Sequence, residues 1–374
     1  MLVLTGARLF DGERFLDDAA LVIEGPRIVA VTSHAERPQG VETRDLGGGL
    51  IAPGFIDVQV NGGGGVLFNA EPTADGVLKI AQAFRKYGTV GLMPTLVTDA
   101  PELMPRAIAA IREARQSDPA VLGVHLEGPF LDPRRKGAHE ARYIREITAD
   151  DVELIASADC GAVMLTLAPN RVPVETIRTL AERGVLVSLG HAEATHAQAR
   201  AALDAGARAF THLHNAMSPL TGREPGMVGT ALTDSESFVG IIADGVHVHP
   251  ATLQLSFAAK RRDRFMLITD AMPPAAGGPD RFLLQGRWIY RAEGCLTLED
   301  GTLAGADITM DAAVRYAIGE AGVSLAEALI MASRTPAEFL RRGDELGRLA
   351  PGYLASLVHL DENLRVRETW VEGK

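Results

Sequence analysis

The chain has 374 residues, 47% hydrophobic and 23% charged, which implies a large packed core and excludes wholesale disorder. Thirty-seven basic against 48 acidic residues leave a net charge of −11, which argues against a nucleic-acid polyanion as the main partner but leaves room for a small phosphorylated ligand. The two cysteines, Cys160 and Cys295, make no disulfide or metal pattern, no apolar run reaches the roughly 18 residues of a membrane span, and the start lacks a signal-peptide pattern; a soluble, cytoplasmic protein is expected.

The first 50 or so residues read as short strands separated by turns. Leu2–Leu4, Arg8–Phe10, Ala20–Ile23 and Arg27–Val31 are punctuated by Asp11-Gly12 and Gly25-Pro26. From Ile51 short apolar runs alternate with long Ala/Leu/Arg/Glu stretches of helical character. Eight candidate strands follow: Gly54–Val60, Val90–Leu96, Val121–Leu126, Ala162–Leu167, Val185–Leu189, Ala207–Leu213, Phe238–Ala243 and Phe265–Thr269. Helices are expected at Met104–Ala114, Val174–Arg183, Ala197–Ala205 and Ala251–Ala259. This alternation suits parallel βα units and predicts an α/β fold, a (β/α)8 barrel of the TIM type over residues 51–345. Arg281–Leu298 alternates like hairpins and is expected as an insertion after the eighth strand. Gly347–Leu349, Ala355–His359 and Val366–Val371 return to β character, so residues 1–50 and 346–374 are expected to build one small β-sandwich domain from both termini.

Catalytic groups of such a barrel lie at the C-terminal ends of its strands. That rule selects Glu127 after strand three, His191 after strand five, His212 after strand six and Asp270 after strand eight. A carboxylate and two imidazoles suit a divalent transition metal with one position open to water, and Asp270 is placed to take a proton from that water. Each residue alone is more often a packed or ion-paired group; their coincidence at one barrel mouth carries the metal reading. His212 and His214 are two apart, so on a continuing strand both face the same way and spacing does not choose between them. Gly62–Gly65 lacks the phosphate-loop patterns and reads as a close backbone approach under a ligand or as a tight turn. Arg223 and His247 are the candidates for phosphate, with a surface ion pair to Glu224 as the alternative for Arg223.

The stretches Ala52–Gly65, His125–Phe130, Lys136–His139, Gly190-His191, Thr211–Met217, Thr221–Gly226, Asp244–His247, Thr269–Ala271 and Leu303–Gly305 run in order across nearly the whole chain. With them the chain resembles the N-acetylglucosamine-6-phosphate deacetylases of the amidohydrolase superfamily. The resemblance implies hydrolysis of N-acetylglucosamine 6-phosphate to glucosamine 6-phosphate and acetate, with metal-bound hydroxide as nucleophile. It makes Glu127, His191 and His212 the metal ligands, Asp270 the general base and then acid, and His139 the group that polarises the acetamide carbonyl. Ala138, Asn215, Ala216, His247, Leu303, Ala304 and Gly305 are implied as substrate contacts. The resemblance also implies a homodimer in which Arg223 reaches the phosphate in the neighbouring site. Many amidohydrolases carry His-x-His at the end of strand one; here Gln59 and Asn61 stand there, and neutral amides are poor ligands, so one metal is expected per subunit. Zn2+ suits the donors, and Fe2+, Co2+ or Mn2+ are alternatives. Another amidohydrolase substrate, a sugar-phosphate isomerase and a non-catalytic sugar-phosphate binder are the competing readings.

Overall fold

A computed structural model describes residues 1–374. Its centre is an eight-stranded parallel sheet in sequential order: β1 (Phe55–Val60), β2 (Thr89–Val97), β3 (Gly123–Glu127), β4 (Ala162–Leu167), β5 (Leu186–Leu189), β6 (Ala209–Phe210), β7 (Phe238–Ile242) and β8 (Phe265–Ile268). The seam between β8 and β1 closes just beyond the strand ends. There the amide of Asp270 donates to the carbonyl of Gln59 at 3.0 Å, and the amide of Asn61 donates to that of Ala271 at 2.9 Å. The sheet is therefore a barrel, with each strand followed by a helix: α1 (Ala74–Arg85), α2 (Leu103–Ser117), α3 (Ala149–Ala156), α4 (Val174–Glu182), α5 (His196–Asp204), α6 (Gly226–Thr233), α7 (Pro250–Ala259) and α8 (Met310–Ala321). No helix is long and apolar enough to cross a membrane.

Strand alternation decides what faces the barrel axis. On β3, Val124 and Leu126 join the apolar layer shared with α2, while His125 and Glu127 point inward. Deep in the barrel an apolar cluster holds Met93, Met164, Leu186, Phe238 and Met266, and Ala337 and Phe339 of the short helix Arg334–Phe339 join it. Above it lies a polar layer. His125 bonds Thr95 Oγ1 at 3.1 Å and Thr166 Oγ1 at 2.7 Å, and the hydroxyl chain continues through Thr211 to Ser188 at 2.7 Å each. Every buried hydroxyl in that chain has a partner, which is what keeps a polar layer tolerable inside a barrel.

At the ends of the chain, Leu2–Thr5, Ala20–Glu24, Arg27–Thr32 and Glu42–Asp45 form a four-stranded sheet. A five-stranded sheet combines Arg8–Phe10, Phe15–Leu16 and Leu50–Pro53 with Leu357–Leu360 and Val366–Trp370 from the other end. The two sheets share an apolar cluster that includes Leu4, Leu21, Ile23, Ile51, Leu357 and Trp370. Gly347–Leu349, expected as a strand, is not one: Gly347 takes a left-handed φ of 82°, and the segment joins the small unit through the Leu349 amide to the Asp11 carbonyl at 3.0 Å. The insertion after β8 is a four-stranded antiparallel sheet of Arg281–Leu284, Arg287–Ala292, Cys295–Thr297 and Leu303–Ala306. Gly62-Gly63 pairs with Val66-Leu67 through Gly64-Gly65, whose φ values are 58° and 90°. The glycine run is thus a hairpin turn, and a Cβ on Gly62 would lie 2.2 Å from the Val66 carbonyl oxygen.

Candidate active site

A cavity of about 360 Å³ opens at the C-terminal mouth of the barrel. Of the thirteen residues singled out from the sequence as ligands, acid-base groups or substrate contacts, Glu127, Ala138, His139, His191, His212, Asn215, Ala216, His247, Asp270, Leu303 and Gly305 line it. Ala304 does not. Alternation along its strand turns Leu303 and Gly305 to the cavity and Ala304 to the apolar cluster of Leu67, Met272 and Phe282 behind. Arg223 lies on the exposed surface, outside the cavity of its own chain. Its expected ion-pair partner is engaged elsewhere: Glu224 accepts the amides of His196 and Gly226 at 2.7 and 3.0 Å.

The strand ends that deliver these groups share a conformation. His191, His212 and Asp270 all have left-handed φ, at 47°, 31° and 50°. Non-glycine residues rarely occupy this region, at a cost of order 1–2 kcal/mol each, and such outliers gather at functional sites. The turn also separates His212 from His214. β6 ends at Phe210 rather than continuing to Leu213, and His214 has φ 78°. The two imidazoles therefore diverge: His214 Nε2 meets Ser256 Oγ on α7 at 2.8 Å, and burial holds its pKa down at about 4.

Three donor atoms converge in the mouth. His212 Nε2 is 3.0 Å from both Glu127 Oε1 and His191 Nε2, and His191 Nε2 is 3.3 Å from Glu127 Oε1. Ligands about 2.0–2.1 Å from a tetrahedral ion sit about 3.3–3.4 Å apart, so this triangle is close to one face of such a site. The Nδ1–H of His191 donates to the Arg135 carbonyl at 2.9 Å, which leaves its Nε2 lone pair facing the triangle. One donor atom each from Glu127, His139 and His191 also fall within 4.8 Å of one another. The shorter edges favour His212 as the third ligand, because His139 Nε2 stands 3.8 Å from the other carboxylate oxygen, Glu127 Oε2. The donor set fits a divalent metal. Burial pushes the Glu127 carboxyl up, but the hydrogen bonds and charge of His191 and His212 outweigh it and hold Glu127 well below the usual range.

Gln59 and Asn61 have a use the sequence did not disclose. Gln59 Nε2 donates to Glu127 Oε1 at 3.0 Å and to Asp270 Oδ1 at 3.1 Å. Asn61 Nδ2 donates to Asp270 Oδ1 at 2.7 Å and to its carbonyl at 3.1 Å. Gln59 stands between two buried carboxylates and orients both, and Asn61 adds a second donor to Asp270. Burial and then the charge of Glu127 push Asp270 up to about 6, against His212 and Asn61, which favour the ionised form. His139 is buried and neutral, its pKa brought down to about 3 by burial and by His191, and its Nδ1 has no partner. His247 is aimed by its Nδ1 contact to Asp244 Oδ2 at 2.6 Å. Arg134, Arg135, Leu284 and Thr302 also line the cavity and escaped the sequence reading. The Arg134–Lys136 run beside the Lys136–His139 motif was the available signal for two of them.

Fold and site together define a metal-dependent hydrolase barrel, and the chain belongs to the amidohydrolase family, which residues 50–374 match. Residues 1–51 match the NagA composite domain. An N-acetylgalactosamine-6-phosphate deacetylase of Shewanella sp. (strain ANA-3) is 39% identical, covering 100% of this chain and 95% of its own length. An N-acetylglucosamine-6-phosphate deacetylase of Haemophilus influenzae is 36% identical, covering 96% of this chain and 95% of its own. The crystal structure of N-acetylglucosamine-6-phosphate deacetylase from Pasteurella multocida superposes with a TM-score of 0.97 at 34% identity, covering 100% of this chain and 98% of that one.

Proposed function

We propose that the chain hydrolyses N-acetyl-D-glucosamine 6-phosphate to D-glucosamine 6-phosphate and acetate with one divalent metal, Zn2+, held by Glu127, His191 and His212. The observation that carries this reading is the donor triangle with Asp270 tied beside it, in a cavity within the roughly 300–1,000 Å³ typical of small-molecule sites. When bound, the metal supplies Lewis acidity and a water that ionises near neutral pH. Asp270 accepts the proton of the attacking water and later returns it to the leaving amine nitrogen; its raised pKa suits both directions. His139, neutral and lining the cavity, donates to the acetamide oxygen as charge develops there. Asn215, Ala216, His247, Leu303 and Gly305 hold the sugar phosphate, so that binding away from the reacting bond fixes the acetamide in place.

Arg223 acts across a homodimer on the phosphate in the partner's cavity. Its exposure outside its own cavity, with Glu224 engaged by backbone amides, supports this. Two free thiols, Cys160 and Cys295, fit a reducing cytoplasm. The similarity to the Shewanella enzyme favours a second reading, in which the galactosamine epimer is the substrate. The test is acetate release from both phosphorylated epimers and from unphosphorylated N-acetylglucosamine, with metal content read on the same sample. Acetate from N-acetylglucosamine 6-phosphate, dependent on the phosphate and with about one metal per chain, is the expected result. Preference for the galactosamine epimer selects the second reading, and no acetate from a metal-loaded sample overturns both.

A further inference from the structure

His139 carries the oxyanion role in the proposed reaction, yet nothing bonds its ring in place. Its Nδ1 has no partner, its Nε2 is 3.8 Å from Glu127 Oε2, and the ring rests edge-on against His191 with centroids 4.4 Å apart. The ring is therefore placed by the backbone on either side of it. That backbone is gripped from the insertion sheet. Gln285 and Gly286, with φ 53° and 79°, form the tight two-residue turn between the strands Arg281–Leu284 and Arg287–Ala292, and the tip of this hairpin reaches the barrel mouth. Gln285 Nε2 donates to the Thr98 carbonyl just past β2, and Thr98 Oγ1 donates to the Glu127 carbonyl at 3.0 Å. Arg287 Nη2 donates to the Ala138 carbonyl at 2.5 Å and to Gln285 Oε1 at 3.2 Å. Its Nε, which has no hydrogen-bond partner, faces the Glu140 carboxylate at 3.7 Å.

We propose that Arg287 is a positioning residue: from the insertion sheet its guanidinium holds Ala138 and Glu140, the two neighbours of His139, and so sets where the His139 ring meets the substrate carbonyl. The proposal rests on the reading of His139 given above. An ordinary surface ion pair would matter little here. The planar fork of arginine, however, serves a carbonyl, a side-chain amide and a carboxylate together, which a lysine ammonium cannot copy in the same geometry. A displacement of about 1 Å at a polarising group is enough to cost on the order of 100-fold in rate.

The test is a double-mutant cycle of Arg287→Met with His139→Ala, reading kcat, KM, metal per chain and melting temperature. Arg287→Met is expected to lower kcat about 10- to 100-fold with KM and metal content near wild type, and to add little once His139 is alanine, because its effect runs through that ring. Arg287→Lys is expected to restore only part of the rate. If Arg287→Met melts early, Arg287→Gln, which stays polar but is too short to hold the Ala138 carbonyl and the Glu140 carboxylate together, replaces it in the cycle. Equal losses in both backgrounds, or a wild-type kcat in the Arg287 variant beside a crippled His139→Ala, overturn the positioning role alone. A wild-type kcat in His139→Ala overturns the oxyanion role and the proposal with it.

Discussion

Replacing Asn61 by alanine removes a donor from the base without touching the metal ligands. Asn61 Nδ2 lies 2.7 Å from Asp270 Oδ1, and both residues are buried. A hydrogen bond to a charged acceptor contributes about 1.5–3 kcal/mol and one to a neutral acceptor about 0.5–1.5 kcal/mol. The bond therefore favours ionised over protonated Asp270 by roughly 1–1.5 kcal/mol, which is about one pKa unit. Its loss raises the pKa of Asp270. The base works only when ionised, so the acid limb of kcat/KM moves up by about one unit, and the variant runs about tenfold slower than wild type on the acid side of that limb. Well above it the two converge to within a few-fold, because Gln59 still donates to the same oxygen at 3.1 Å. The assay is acetate release from N-acetylglucosamine 6-phosphate across pH, with metal content checked in each sample. An acid limb that stays put or moves down at full metal occupancy refutes the assignment of Asn61 as the donor that keeps Asp270 ionised.

Three further outcomes follow from the same geometry. Asp270→Asn keeps the metal but lowers kcat by about 10²- to 10⁴-fold, and near-normal turnover in that variant removes Asp270 from the proton path. Arg223→Ala and Asp270→Asn are each nearly inactive at low substrate; mixed and reassembled, they regain up to about a quarter of wild-type activity, since one site in each hybrid dimer has both groups intact. No recovery from demonstrated hybrids means that Arg223 does not act in the partner's cavity. Burial pushes Asp234 up, but the Ser237 amide and the Arg200 guanidinium outweigh it and hold Asp234 at about 2, below its ordinary 3.8. A depressed carboxylate stabilises the fold above its unfolded pKa and loses that contribution as pH falls through the folded one. Asp234→Asn should therefore narrow the gap in urea midpoint between pH 7 and pH 2, and an unchanged gap counts against the ion pair.

Much of this architecture is written in local pattern. Apolar runs of strand length separated by helical stretches mark all eight barrel strands, because a parallel strand buried on both faces needs an unbroken apolar segment. Chain order then points to the mouth, since every strand of such a barrel runs the same way and ends at the same face. Glu127, His191, His212 and Asp270 could be picked out for that reason. In the structure Thr195 with Gln198 and Ser324 with Glu327 close capping boxes within three residues, a device of the same local scale that fixes where a helix starts.

What sequence could not decide depends on contacts between distant residues or on the residue at which a strand stops. The choice between His212 and His214 turned on β6 ending at Phe210 and on the left-handed turns after it, which neighbouring elements impose. Gln59 and Asn61 read as missing ligands; only the closed seam, which brings Asp270 to them from more than 200 residues away, shows them as donors to the base. Arg287 lies inside the hairpin-like stretch Arg281–Leu298, where nothing local singles it out; the fold sets it against Ala138, 149 residues earlier. Local sequence determined the elements and the residue types at their ends, because periodicity and capping act within a turn or a strand. The tertiary structure alone decided which end groups meet and which atom faces the reaction, because hydrogen-bond geometry is set by contacts that a linear pattern does not contain.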